Sequence, residues 1–423
     1  MNKIEAFVYR VVRKNPILKQ RVRDIYQFAF DVIPHRRNIF PQGLKVKEGV
    51  YFGFHDVSAI SPDDSKILVL RNPFDLKMPE SGQKSEIGYC EINNVGDIGD
   101  FNKIDDVYAW NYHKGSRERW IDNDTIIYNS AKGEMLISKI ANLRLNEQRT
   151  IPFAIDAVSE DGQLATSFSY ERLQKCMPGY GYPYADESYI DKDAPEETGL
   201  FVRNLCSGEV VTFISLKQLA SSAPEEFRHG YIHFVTHTEF SPDCRYVSFL
   251  HRWTGRTGTT EKRWTRLMVF DFATEELIEL PTQLSGSHYV WNNKHQMIVS
   301  CTINMKSCHV LFDMNEIANY KVIAPETINS DGHPTFVTDR VFVTDTYPDR
   351  WRMAALLLVD IDKGEVRKIG ALHSPKKFQT KESTCHIACD LHPRISKSGK
   401  FLSFDSVHTG VRSVCIIPMG GVN

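Results

Sequence analysis

Five histidines stand immediately before short β-type runs: His55, His237, His288, His333 and His392. Nothing in strand formation calls for histidine there. Neutral imidazole is a good ligand for zinc, manganese, iron or nickel, and histidine is the side chain best poised for proton transfer near neutral pH. Two carboxylates accompany the set: Asp331 lies two residues before His333, and Asp390 two before His392. Residues two apart on a strand share a face. Each pair is therefore expected to act as two ligands, or as a ligand and the group that orients it. The spacing predicts a divalent cation held chiefly by His288, His333 and His392, with Asp331 and Asp390 beside them. Any one of these histidines taken alone would serve equally well as a hydrogen-bonded structural residue.

A second cluster, CHIACDLH, brings Cys385, His386, Cys389 and His392 close in sequence. It has half the makings of a zinc knuckle, but the partner pair at the usual distance is missing. The basic residues offer another kind of chemistry. Arg252, in HRW, is suited to a two-pronged grip on a carboxylate or phosphate. The run WNYHKGSRERW presents His113, Lys114, Arg117 and Arg119. Tyr180, Tyr182 and Tyr184 of GYGYPY, and Tyr347, could stack on sugar rings or simply pack. The chain has no GxSxG, P-loop or GxGxxG motif.

These residues must be positioned by something, and the pattern after residue 48 is a repeat. The motif is an apolar run, a polar turn with Asp or Gly, and a second apolar run. It recurs at 54–70, 118–129, 154–169, 237–253, 288–301, 333–347 and 392–406. Each unit leaves room for two further runs, as in LMVFDFATEELIEL and LLLVDIDKGEVRKIG. Four antiparallel strands per unit, seven times over, predict an all-β, seven-bladed β-propeller across 48–423. The seventh unit runs short of a strand, so GLKVKEGVYF (43–52) is expected to complete it and close the ring. A pair of β-sandwiches would need a linker near mid-chain. The most irregular stretch, 175–197, falls inside unit three instead and reads as an insertion between strands.

Residues 1–47 are different. They carry eleven Lys/Arg against three Asp/Glu and show helical spacing on either side of Asn15-Pro16. This predicts a basic amphipathic arm that packs on the main domain or meets an anionic membrane surface or a protein partner. The whole chain of 423 residues carries a net charge of −2, which argues against nucleic acid as a partner. Charges interrupt every apolar stretch of the N-terminus, so no secretory signal is read there, and no run suits a membrane span. Nine scattered cysteines then suggest reduced thiols and a cytoplasmic location, either free or at the inner face of a membrane.

The stretches HTEFSPDCRYVSFLHRW, SDGHPTFVTDRVFVTDTYPD, MPGYGY and CDLHPRISKSGKFLSFDS resemble the blade motifs of the seven-bladed propeller polysaccharide lyases, which include oligogalacturonate lyase and the ulvan lyases. The resemblance covers most of residues 50–420. It implies β-elimination on a uronic-acid-containing oligosaccharide or polysaccharide, with a divalent metal (Mn or Zn) at positions resembling His288, His333 and His392. It implies His237 as base with Arg252 assisting, His233 and His251 as other candidates for the base, and Tyr347 as a partner in proton transfer. His55, His113, Lys114, Arg117, Tyr180 and Tyr182 are the substrate contacts it suggests. Relatives often have a glutamine before the tryptophan of unit two, where this chain reads Glu118-Arg119-Trp120. The basic arm is foreign to the pattern. It suits either a cytosolic oligosaccharide lyase or, alternatively, a non-lytic propeller that binds glycans or serves glycan or capsule biosynthesis, docked through residues 1–47.

Overall fold

The turn that separates the two apolar runs of a unit is built by its own side chains. In SPDD of blade one, Ser61 Oγ donates to Asp63 Oδ1 at 2.6 Å and accepts the Lys66 amide at 2.9 Å. Blade three repeats this with Ser159 and Asp161, and blade four with Ser241 and Asp243. In blade seven Ser396 accepts the Phe401 amide at 3.1 Å and pairs with Ser398. A left-handed residue follows each time: Asp64, Gly162, Cys244 and Gly399. Short polar side chains that bond their own backbone fix such turns locally. The two flanking runs then pair as antiparallel neighbours.

The computed structural model describes Phe30 and residues 36–184, 188–255, 263–379 and 386–420. Seven sheets form seven blades in a ring. Blade four is typical: Tyr231–Phe240, Tyr246–Gly255, Trp264–Asp271 and Glu276–Leu280 pair in chain order. In blades one and three the innermost strand shrinks to single bridges, Ile60 with Ile67 and Val158 with Ala165. The ring closes as the repeat count requires. Lys45–Glu48 pairs antiparallel with Ser413–Pro418, in the register Lys45 to Ile416 and Glu48 to Ser413. The expected boundary at residue 47 thus falls inside the closing strand. Most of the expected arm, residues 1–29 and 31–35, lies outside the described residues. No described helix is long and apolar enough to cross a membrane.

Each blade alternates side chains toward its two neighbours, so the core consists of slabs between blades rather than one centre. One slab joins Tyr246, Leu250 and Val269 of blade four to Trp291, Val299 and Val310 of blade five. Another joins Val343 and Leu356 of blade six to Leu402, Phe404 and Cys415 of blade seven. The insertion in blade three lies between Leu164–Ser167 and Gly199–Asn204. It contains the helix Tyr170–Cys176, capped by Ser169, whose Oγ accepts the Arg172 amide at 3.0 Å.

Candidate functional site

The hairpin-closing bonds Ser241 N–Tyr246 O, Asn292 N–Gln296 O and Ser396 N–Phe401 O put His237, His288 and His392 four residues before the same hairpin position in blades four, five and seven. The predicted convergence follows. Ring centroids of His288 and His333 lie 4.0 Å apart, and those of His333 and His392 4.3 Å apart. His55 lies 5.2 Å from His333 and 5.3 Å from His288, and His237 lies 5.9 Å from His288. All five are buried at one mouth of the central channel. Phe54 forms the floor, 4.9 Å from His237 and 5.3 Å from His392.

Hydrogen bonds fix which nitrogen is free in three of the rings. His288 Nδ1 faces Asp331 Oδ1 at 3.3 Å, His333 Nδ1 donates to Asp345 Oδ1 at 2.8 Å, and His392 Nδ1 donates to the Gly53 carbonyl. An Nδ1 that carries the proton leaves Nε2 with its lone pair, the state a metal or an acidic proton requires. Nε2 of His392 and of His237 is buried with no hydrogen-bond partner. His237 Nδ1 lies 2.8 Å from Thr236 Oγ1. His237 and His392 both have left-handed backbones, with φ of 53° and 46°. Such strain in residues other than glycine gathers at functional sites.

Burial pulls His55, His237, His288 and His392 below the ordinary imidazole value, and their neighbours add to this: His333 for His55 and His392, Arg252 for His237. His333 is the exception. Burial opposes its charge, but the Asp345 carboxylate outweighs burial and raises it. Burial also raises Asp390, to about 6, against the pull of His333. Asp331 is held low although it is buried, because His288 and Ser300 Oγ (2.6 Å) support its charge.

The carboxylates partner differently from the expectation. Asp331 serves His288, not His333, and also accepts Ser287 Oγ at 2.8 Å. Asp331–His333 and Asp390–His392 precede the strands Thr335–Thr338 and Arg394–Ile395 rather than lying in them, so the alternation of a strand does not apply. Asp390 Oδ2 stands 3.9 Å from His392 Nε2 and 3.6 Å from His113 Nδ1. His113, Asp390 and His392 offer donor atoms all within 4.8 Å of one another. His113, expected to touch substrate, thus joins the candidate ligands. The half-knuckle is not reproduced as such: His386 contacts His113 Nε2, Cys389 Sγ faces the Asp390 carbonyl at 3.7 Å, and Cys385 lies outside the described residues.

A cleft of about 760 Å³ opens beside the histidines, lined by Tyr180, His237, Arg252, His288, Asp331 and Tyr347. Tyr180 stacks on His113 at 4.6 Å, and Tyr347 stands 5.6 Å from His333 and remains 40% exposed. Arg252 is buried, its Nε is unpartnered, and burial lowers it to about 10.

Other expected contacts lie elsewhere. Lys114 Nζ pairs with Asp156 Oδ1 at 2.5 Å, while Arg117 grips Asp56 at 2.6 and 3.1 Å and reaches Asp156 at 3.2 Å. Both basic side chains are 3% exposed or less, because the left-handed backbone of Arg117 (φ 56°) turns this segment into the channel toward two carboxylates. They join carboxylates of blades one and three to blade two and are not among the residues that line the cleft. Tyr182 is fully buried against Tyr170, with its hydroxyl on Asn129 Nδ2 at 3.1 Å. His233 is fully buried as well, 3.0 Å from His251 Nε2 and 2.9 Å from the Phe227 carbonyl. Its strand runs on past the mouth, so His233 meets the neighbouring strand rather than the cleft.

Sequence reasoning missed Asp345. A signal existed: the second runs of units six and seven, VFVTD and FLSFD, both end in aspartate. Asp405 bonds the Phe52 and Gly53 amides of the next blade at 3.2 and 2.8 Å, as Asp345 bonds the His392 amide at 3.0 Å.

No protein-family model and no curated protein matches the chain. Among solved structures it is similar to an oligogalacturonate lyase in complex with manganese, at 13% identity and a TM-score of 0.59, covering 92% of this chain and 98% of that one. It is similar to the oligogalacturonate lyase of Vibrio parahaemolyticus at 11% identity and a TM-score of 0.56, covering 89% and 92%. A prolyl endopeptidase matches at 11% identity and a TM-score of 0.52, but only 51% of that chain is covered. Identities this low speak for architecture: the chain is a seven-bladed β-propeller, and it spans nearly the whole length of the oligogalacturonate lyases that share its fold.

Proposed function

We propose that the protein is a lyase that cleaves uronic-acid-containing oligosaccharides or polysaccharides by β-elimination, with a divalent cation at the histidine mouth. The observation that carries this reading is the cleft itself. It joins a buried arginine that has no carboxylate partner among the described residues to a histidine whose buried Nε2 is unpartnered.

The chemistry has three requirements: neutralise the uronate carboxylate, remove the C5 proton, and protonate the departing O4. Arg252 offers two-pronged N–H donors for the carboxylate in a water-poor setting, where such pairing is strong. His237, kept neutral by burial and by Arg252, takes the C5 proton on Nε2 while Thr236 Oγ1 holds Nδ1. As the C5–H bond breaks, C4=C5 forms and the C4–O4 bond breaks. Tyr347 gives its hydroxyl proton to O4 and regains one through solvent from His237. Tyr180 and His113 offer a stacked platform for the neighbouring sugar. His55 packs behind the cluster rather than at the cleft.

The donor set fits a divalent cation: Asp390 and His392 with His113 on one side and His333 on the other, and Asp331 and His288 adjoining. Mixed imidazole and carboxylate donors suit manganese or zinc. Such a cation, when bound, supplies a Lewis acid that withdraws charge from the uronate. The test is incubation of the purified full chain with a panel of uronic-acid oligosaccharides, with and without Mn²⁺, read by the ultraviolet absorbance of the unsaturated product. Production of an unsaturated uronide is expected. No such product across the panel, together with no bound metal, overturns the reading.

A further inference from the structure

The carboxylate of Asp345 is shared between two blades. It ends the strand Val341–Asp345 of blade six and is 2% exposed. Oδ1 accepts the backbone amide of His333 at 2.8 Å and, at the same distance, its Nδ1 proton. Oδ2 lies 3.0 Å from that Nδ1 and accepts the backbone amide of His392 in blade seven, also at 3.0 Å. His392 needs such a hold, because its φ of 46° is costly for a side chain with a Cβ. Its ring is held separately, by Nδ1 on the Gly53 carbonyl.

We infer that Asp345 is a positioning residue for the histidine mouth, one carboxylate that sets both the tautomer of the His333 ring and the backbone of His392. The consequence is chemical. A ring whose Nδ1 proton is pledged to a carboxylate can present only Nε2 as a lone pair, and a charged acceptor strengthens that nitrogen as a donor to a cation. Anchoring the His392 amide to the same carboxylate ties the separation of two imidazoles to one group. A displacement of Asp345 would then disturb the His333 ring and the His392 backbone together. A structural carboxylate would need only one of these contacts. Here the three N–H groups that reach the carboxylate all belong to the two histidines.

The role of Asp345 in fixing the rings is testable in metal-free protein. The part that concerns a cation rests on the proposed metal-dependent function. The full chain, labelled with ¹⁵N and free of metal, gives imidazole spectra in which His333 is identified by its loss in His333→Gln. At a pH above the titration of His333, so that its ring is neutral, the wild type should show His333 with Nδ1 protonated, its proton far downfield, and Nε2 bare. In Asp345→Asn, where a neutral amide replaces the carboxylate and an N–H faces the His392 amide, that proton should move upfield and the tautomers should mix. Mn²⁺ alone, titrated in competition with a chromogenic chelator, should bind about 10–100-fold more weakly to Asp345→Asn. A wild-type His333 protonated on Nε2 overturns the inference without any variant. So does a folded Asp345→Asn with an unchanged His333 ring. A wild type that binds no Mn²⁺ while its His333 ring responds as described overturns the metal reading and supports the placement of the rings by Asp345.

Discussion

The guanidinium of Arg252 donates from Nη1 to the sulfur of Met177, 3.1 Å away, where a buried arginine would ordinarily meet a carboxylate. A thioether is a weak acceptor, so most of the charge is left to be answered by something else in the cleft. Burying an arginine without a counter-charge is costly, and an anionic ligand would offset that cost. Arg252→Met should therefore leave the melting temperature unchanged or raise it, while cleavage of uronides falls by about 10²–10³. Thermal melts and initial rates on the same preparation check both halves. A variant that loses stability and activity in proportion would make Arg252 a structural residue.

The candidate ligands predict a graded response to truncation. His392→Ala and Asp390→Ala each remove a member of the tight donor group and should abolish stoichiometric Mn²⁺ or Zn²⁺ in elemental analysis. His288→Ala, which adjoins that group, should weaken binding without abolishing it. Removal of metal by a chelator should silence the lyase reaction, with recovery on adding the ion back.

Glu118 gives a pH signature unrelated to the cleft. It is 1% exposed, and burial raises its carboxyl to about 8 although Ser116 donates to it through backbone and hydroxyl at 2.7 and 2.9 Å. In the unfolded chain it ionises near its ordinary value of 4.5. Between those values the folded state holds a proton that the unfolded state has lost, so stability falls as pH rises from about 4.5 to about 8. Glu118→Gln removes this term. Denaturant midpoints measured across that window should decline less steeply in the variant than in the wild type.

Two truncations separate the closing strand from the residues before it. Removal of residues 1–35 leaves Lys45–Glu48 in place, together with the Ile39–Ala371 bridge and the Asn38 bond to the His373 amide at 2.8 Å. It should preserve the melting transition, and if the basic segment docks to membranes it should abolish sedimentation with anionic vesicles. Removal through residue 49 deletes the fourth strand of blade seven. Its melting transition should fall sharply, and exchange of the Ser413–Pro418 amides should rise.

The architecture was legible because its turns are local. Ser61, Ser159, Ser241 and Ser396 each form their hairpin with a side chain two residues on and a backbone amide five residues on, so the repeat is written in contiguous sequence. The convergence of His237, His288 and His392 followed from the same phase. What sequence did not reveal is set by backbone at the mouth. Asp331 and Asp390 sit on connecting segments, so their partners depend on loop paths rather than on strand alternation. Lys114 and Arg117 read as substrate contacts, since Asp56 and Asp156, which neutralise them, lie tens of residues away. Asp345 acts across a blade boundary on His392, a contact no local pattern records.

The closing strand has a consequence for biosynthesis. Lys45–Glu48 leaves the ribosome before the rest of the propeller, and its partner, Ser413–Pro418, after it. His55 and His392 flank that junction, in blades one and seven. Their approach must therefore await synthesis of blade seven, and a nascent chain that stops short of Ser413–Pro418 lacks an assembled histidine cluster. The histidine mouth becomes available only to a chain made through its seventh blade.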